Sequence, residues 1–179
     1  MQSKIDHSVF IRRLVTERED LVIAVATDDM AITSNSDQAV TRFKHEIKKV
    51  YKITDLGNLC WFLGMEIKRD HAMHTISINQ CVYIEGMAMK FRLTNAKPIY
   101  VPMLPGETLS HDQSPSTSAE SQEMLKIPYG NMIGHVLWPV MISCPDATFA
   151  TTILSQFVSN PGPAHIKALK HLILYLYTM

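Results

Sequence analysis

The sequence predicts an α+β fold: an antiparallel sheet with packed helices, followed by a mostly helical C-terminal segment. Three observations carry that expectation. Two strand-like runs meet at adjacent carboxylates early in the chain, one amphipathic helix follows them, and residues from 126 onward keep helical spacing. At 179 residues, with 46% hydrophobic and 19% charged side chains, the chain is long enough to bury a core without disulfides or metals.

Val9-Phe10-Ile11 reads as a short strand, and Arg12 to Asp20 as a polar turn. Leu21 to Ala26 is a continuous apolar run, short and β-branched, as a buried strand is. It stops at Thr27-Asp28-Asp29 and resumes at Met30 to Thr33, which predicts a hairpin. Ser34-Asn35-Ser36-Asp37 clusters helix-capping residues. Val40, Phe43, Ile47, Val50 and Tyr51 then mark one apolar stripe, with Lys44, Lys48 and Lys49 on its wetter sides. Trp61 to Ile67 and Thr75 to Ile78 read as two strands around a polar turn, and Gln80 to Phe91 as a helix. Residues 105–125, rich in Ser, Thr, Pro and acid, read as a linker or long loop between a first region, 1–104, and a helical segment, 126–179. Tyr129 to Val158 is apolar but interrupted near Pro139 and Pro145. The last helix carries Ile166, Leu169, Ile173 and Leu176 on one face.

Seventeen Lys and Arg balance seventeen Asp and Glu, so any nucleic-acid affinity has to come from local patches. Cys60, Cys81 and Cys144 form no CxxC pair, which argues against a zinc site or a disulfide framework. His71 and His74 have ligand-like spacing but no third partner, and Lys167, Lys170 and His171 read as a solvated face. The N-terminus shows no signal peptide and no run reaches the ~20 apolar residues of a membrane span, so an intracellular chain without a membrane partner is expected.

At the acidic turn the sequence becomes specific. "LVIAVATDDM" resembles the "LVIAVYVDDM" block of copia-type retrotransposon reverse transcriptases, in which a YxDD turn holds catalytic metal. The likeness runs in order along nearly the whole chain, through "QSKIDHSVFIRR", "DLGNLCWFLGMEIKRD", "TISINQCVYIEGMAMKF", "KPIYVPMLPGETLS", "PYGNMIGHVLW", "PDATFATTILSQFVSNPGPAH" and "ALKHLILYL".

That resemblance implies a partial palm and thumb-proximal region in residues 1–104, a connection-like segment in 126–179, Asp28 and Asp29 as catalytic metal-binding carboxylates and Mg²⁺ as the cofactor. Polymerisation of this kind uses two metal ions about 4 Å apart, and Mg²⁺ takes carboxylate and phosphate oxygens. The Phe62-Leu63-Gly64-Met65-Glu66 segment resembles a primer grip, where Gly64 lets backbone approach a ligand. Lys68, Arg69, Lys90 and Arg92 are candidate phosphate contacts. The implied partners are an RNA/DNA primer-template and the remaining parts of a polyprotein.

The sequence also departs from the family pattern. The family's further palm aspartate and its fingers have no counterpart here, Ala26 replaces the Tyr before the acidic pair, and Thr54 replaces a Lys before "DLG". Ser143-Cys144-Pro145-Asp146 lacks the Arg of a "TRPD"-like block. The expectation is therefore a reverse transcriptase segment that is inactive alone. A non-catalytic nucleic-acid- or protein-binding remnant and a pseudogene product are the competing readings.

Overall fold

A computed structural model describes residues 1–14 and 18–179. Residues 15–17, in the middle of the expected Arg12–Asp20 turn, lie outside the described residues. The fold is α+β, and the chain divides into two compact units, 1–77 and 78–179.

The first unit opens with an antiparallel sheet of β1 (Val9–Leu14), β2 (Glu19–Ala26) and β3 (Asp29–Ser34), in that order. Ile23 pairs with Phe10 on one side and Ile32 on the other, and Ala26 with Asp29 closes the β2–β3 hairpin. Alternation sends Leu21 and Ile23 to the buried face. Helix α1 (Asp37–Val50) packs on β2 and β3. Ser36 caps it by accepting from the Ala39 N–H, one of the orphan donors of the first turn. Glu19 fixes the entry: it accepts from the Ser36 hydroxyl at 2.8 Å and pairs with Arg42. The α1 stripe is only half buried at Val40, Phe43 and Ile47, and its end at Val50 and Tyr51 is exposed. Helical periodicity puts those two residues on the stripe, but Val50 is the last residue of α1 and Tyr51 is its extended C-cap.

A second sheet follows, with order β4 (Trp61–Phe62), β5 (Met65–Asp70) and β6 (Thr75–Asn79). The run Trp61 to Ile67 is thus a hairpin and not one strand, because Leu63 and Gly64 both take positive φ between the paired Phe62 and Met65.

The second unit is helical: α2 (Cys81–Lys90), α3 (Ser118–Met124), α4 (Tyr129–Ile142), α5 (Thr148–Ser155) and α6 (Pro163–Thr178). α6 is its axis, with α2, α4 and α5 against it. Leu169, Leu172 and Ile173 are fully buried, with Ile166 and Leu176 nearly so. Each such side chain contributes about 1.5–3 kcal/mol by leaving water. Helix α3 stands inside the polar stretch 105–125, where Thr117 and Glu120 form a capping box. That T-x-x-E signature outweighed a composition that otherwise reads as loop. Helix α4 also continues through Pro139.

Candidate functional site

The β2–β3 hairpin turns in two residues, Thr27 and Asp28, between the paired Ala26 and Asp29. Thr27 has φ +50°, the sign that a type II′ turn has at its first central position and one that matches the twist of the strands. For a β-branched residue that conformation is strained, by about 1–3 kcal/mol. Asp28 sits at the tip, Asp29 is the first residue of β3, and both are exposed. Among the described residues neither carboxylate has an ion-pair or hydrogen-bond partner. Two unengaged hard-oxygen donors on adjacent residues of a tight turn fit a divalent cation that completes its shell elsewhere. Among the described residues, no three His, Cys, Asp or Glu side chains form a metal-binding group.

The Phe62–Glu66 segment is the β4–β5 hairpin itself. Two successive positive φ values, +52° at Leu63 and +76° at Gly64, are those of a type I′ turn, and a Cβ on Gly64 would meet open space. Gly64 is thus required by its backbone conformation, and nothing packs against it. This hairpin belongs to a different sheet from the acidic one. Glu66 faces the same side of β5 as Lys68, two residues on, and pairs with it at 3.1 Å. Arg69 is exposed.

Lys90 and Arg92 lie at the C-terminal end of α2, in the second unit. Arg92 is left-handed, with φ +59°. Its N–H donates to the Met89 carbonyl at 3.0 Å and the Leu93 N–H to the Ala88 carbonyl at 2.9 Å, which is a Schellman cap. Lys90 reaches the His135 ring at 2.6 Å. No spacing in the sequence links His135 to a lysine 45 positions earlier. Only the packing of α2 on α4 brings the two together. Lys167 and Lys170 are exposed, and with His171 they border a groove of about 500 Å³ that Leu93, Ile99 and Ile166 also line. His165, by contrast, is structural. It is fully buried and stacked on Phe157 with ring centroids 3.8 Å apart.

Comparison with known proteins places this geometry in context. The family model for "Reverse transcriptase (RNA-dependent DNA polymerase)" matches residues 1–105. A retrovirus-related Pol polyprotein from transposon TNT 1-94 of Nicotiana tabacum is 30% identical over 171 residues, 96% of this chain and 13% of that protein. A putative transposon Ty5-1 protein of Saccharomyces cerevisiae is 26% identical over 173 residues, 97% of this chain and 53% of its own length. A retrovirus-related Pol polyprotein from transposon RE1 of Arabidopsis thaliana is 28% identical over 173 residues, 96% of this chain and 11% of that protein. The chain therefore spans between about a tenth and a half of these relatives' lengths. No solved structure matches it.

Proposed function

The chain belongs to the reverse transcriptase (RNA-dependent DNA polymerase) family, and on that premise we propose that its β2–β3 hairpin is the metal-carboxylate turn of a nucleotidyl-transfer site. The β4–β5 hairpin is then the element that faces the primer, and the chain by itself does not extend one. The observation that supports this most is the pairing of Ala26 with Asp29, which leaves Asp28 at the tip of the turn and Asp29 beside it, both exposed.

Asp28 and Asp29 would hold Mg²⁺, which takes carboxylate oxygens together with substrate phosphates. Such an ion, when bound, neutralises charge on the phosphoryl group being transferred. The protein's own contribution is placement. The paired strands fix the two carboxylates on a short turn, and the Leu63–Gly64 turn offers backbone that a ligand can approach closely. Lys68, Arg69, Lys90 and Arg92 supply positive charge for phosphates of an RNA/DNA primer-template, which dominate nucleic-acid affinity. Two neighbouring carboxylates without the family's further palm aspartate make only part of a two-metal site. The remaining parts of a polyprotein are the natural source of the rest.

Two measurements test this reading. Mn²⁺ added to the ¹⁵N-labelled chain should broaden the amide signals of residues 27–30, and Asp28→Asn with Asp29→Asn should abolish that broadening. Uniform broadening across the chain would sink the metal assignment. Primer extension on an RNA template with Mg²⁺ or Mn²⁺ should be absent, and template-dependent extension lost in Asp28→Asn would overturn the claim of inactivity.

A further inference from the structure

We infer that Lys90 and His135, backed by the hydroxyl of Tyr83, form a binding site for a phosphate oxyanion where α2 packs on α4. The inference deepens the phosphate role given to Lys90 above and does not depend on the acidic hairpin.

The site follows from two helical faces. Tyr83 and Lys90 are seven residues apart, two turns of α2, and so share one side of it. That side meets α4 at His135. The Lys90 ammonium lies 2.6 Å from Nε2 of His135. An ammonium only donates, so Nε2 accepts, the imidazole is neutral and its proton sits on Nδ1. Nδ1 faces the Tyr83 oxygen at 3.4 Å, and the Tyr83 hydroxyl donates onward to the His135 carbonyl at 3.2 Å. The Phe91 ring closes one side, 5.6 Å from the imidazole centroid.

This positive cluster has no acidic counterpart. Among the described residues neither Lys90, Arg92 nor His135 pairs with a carboxylate. Glu85, the acid on α2, is five residues before Lys90 and so about 140° around the helix. Helix α4 has no acidic or basic side chain besides His135, and α5 has none. Asp146, in the turn between α4 and α5, is taken by the Tyr175 hydroxyl. On α6, His165 bonds Gly162 and Ser110, His171 bonds the Val101 carbonyl, and Lys167 and Lys170 wall the separate groove. Burial, with the charge of Lys90 added, holds the imidazole below its ordinary range.

An ammonium donating to a neutral imidazole becomes a pair of donors once the imidazole takes up a proton. A phosphate offers several oxygens, so one can accept from Lys90 while another accepts from a protonated Nε2. Both bonds are charge-assisted and stronger than the one they replace. The balance is one proton taken up by His135 for each anion bound, with the Lys90 to His135 bond exchanged for two bonds to the anion. Lys90 is exposed and keeps N–H groups free for the exchange. The phosphate has two possible sources, the backbone of a nucleic acid or a free or terminal phosphate.

The test follows the His135 imidazole by NMR in the full chain, assigned by its loss in His135→Gln. Its titration is compared in chloride, in inorganic phosphate, and in sulfate, whose charge is constant over the range. Phosphate and sulfate should raise its apparent pKa by about one unit, which corresponds to roughly tenfold tighter binding to the protonated form. In Lys90→Met the chloride titration should move up toward the ordinary value and the anion effect should vanish. An unchanged amide spectrum shows that this variant is folded. An octathymidylate lacking a terminal phosphate and its 5′-phosphorylated form separate the two sources: both act if the site takes backbone phosphates, and only the second if it takes terminal ones. No anion-dependent change at His135, or an equal change at all eight histidines of the chain, would overturn the assignment.

Discussion

The hydroxyl of Tyr83 makes the hydrogen bond that Pro139 cannot. Within α4 the carbonyl of His135 would accept from the N–H four residues on, but that residue is Pro139, which has none. Tyr83, on α2, donates to that carbonyl instead, at 3.2 Å. A helix can carry an interior proline when a neighbouring element satisfies the freed group, and here the neighbour is a phenol. Tyr83→Phe should therefore cost about 0.5–1.5 kcal/mol, the net contribution of a hydrogen bond, at this half-buried acceptor. In a Pro139→Ala background, where an N–H is restored, the same change should cost about 1 kcal/mol less. A double-mutant cycle by urea unfolding decides the matter, and additive effects would show that the two residues are not linked.

Gly162 is a glycine for reasons of space. A Cβ there would lie 1.8 Å from the Gln113 carbonyl oxygen and 2.8 Å from its carbon. Backbone cannot yield as a side-chain tip can, so Gly162→Ala should push the 110–114 segment off the start of α6. The expected loss is about 1–3 kcal/mol, as for overpacking elsewhere. It should be accompanied by loss of the bond between His165 and the Ser110 carbonyl. A melting temperature equal to that of the parent would contradict this.

His165 links stability to pH. The Gly162 N–H donates to its Nδ1 at 2.8 Å, so its proton is on Nε2, which donates to the Ser110 carbonyl at 3.1 Å. Burial, helped by His111 nearby, holds the folded imidazole below its ordinary 6.5, despite the opposing pull of Ser110. Below 6.5 the unfolded chain binds the proton more readily than the folded one. Stability is thus complete above pH 6.5 and falls as the pH drops from there toward the folded pKa. His135, depressed as well, adds to the same slope. Denaturant midpoints between pH 7.5 and about 5 should decline in the parent and flatten partly in His165→Gln; an equal decline in both would exclude His165 as a source.

Arg92→Gly separates a structural role from an electrostatic one. The left-handed C-terminal position costs an arginine about 1–2 kcal/mol, offset in part because glycine loosens the unfolded chain. The net gain in stability should be about 0.5–1 kcal/mol by urea unfolding. If Arg92 also meets phosphate, the variant should bind single-stranded nucleic acid more weakly and with a shallower salt dependence. A destabilised variant would mean that the side chain does more than the cap requires.

The sequence by itself determined the family and most of the local elements, though not α3 or the turn at Leu63–Gly64. The continuous β-branched run Leu21–Ala26, the capping cluster before Asp37 and the spacing of Ile166, Leu169, Ile173 and Leu176 are each local signals of the backbone. The acidic turn was legible because a two-residue hairpin is a local event. Tertiary structure decided what depends on neighbours distant in the chain. The end of the α1 stripe is exposed because Val50 closes the helix and Tyr51 has already left helical geometry. α4 passes through Pro139 because α2 brings a hydroxyl to the freed carbonyl. Lys90 meets His135 because two helices share a face, and Gly162 admits no side chain because residue 113 crosses it. Periodicity constrains a residue against its own helix or strand. The identity of the atom on the other side is set by packing, which one segment's sequence does not encode.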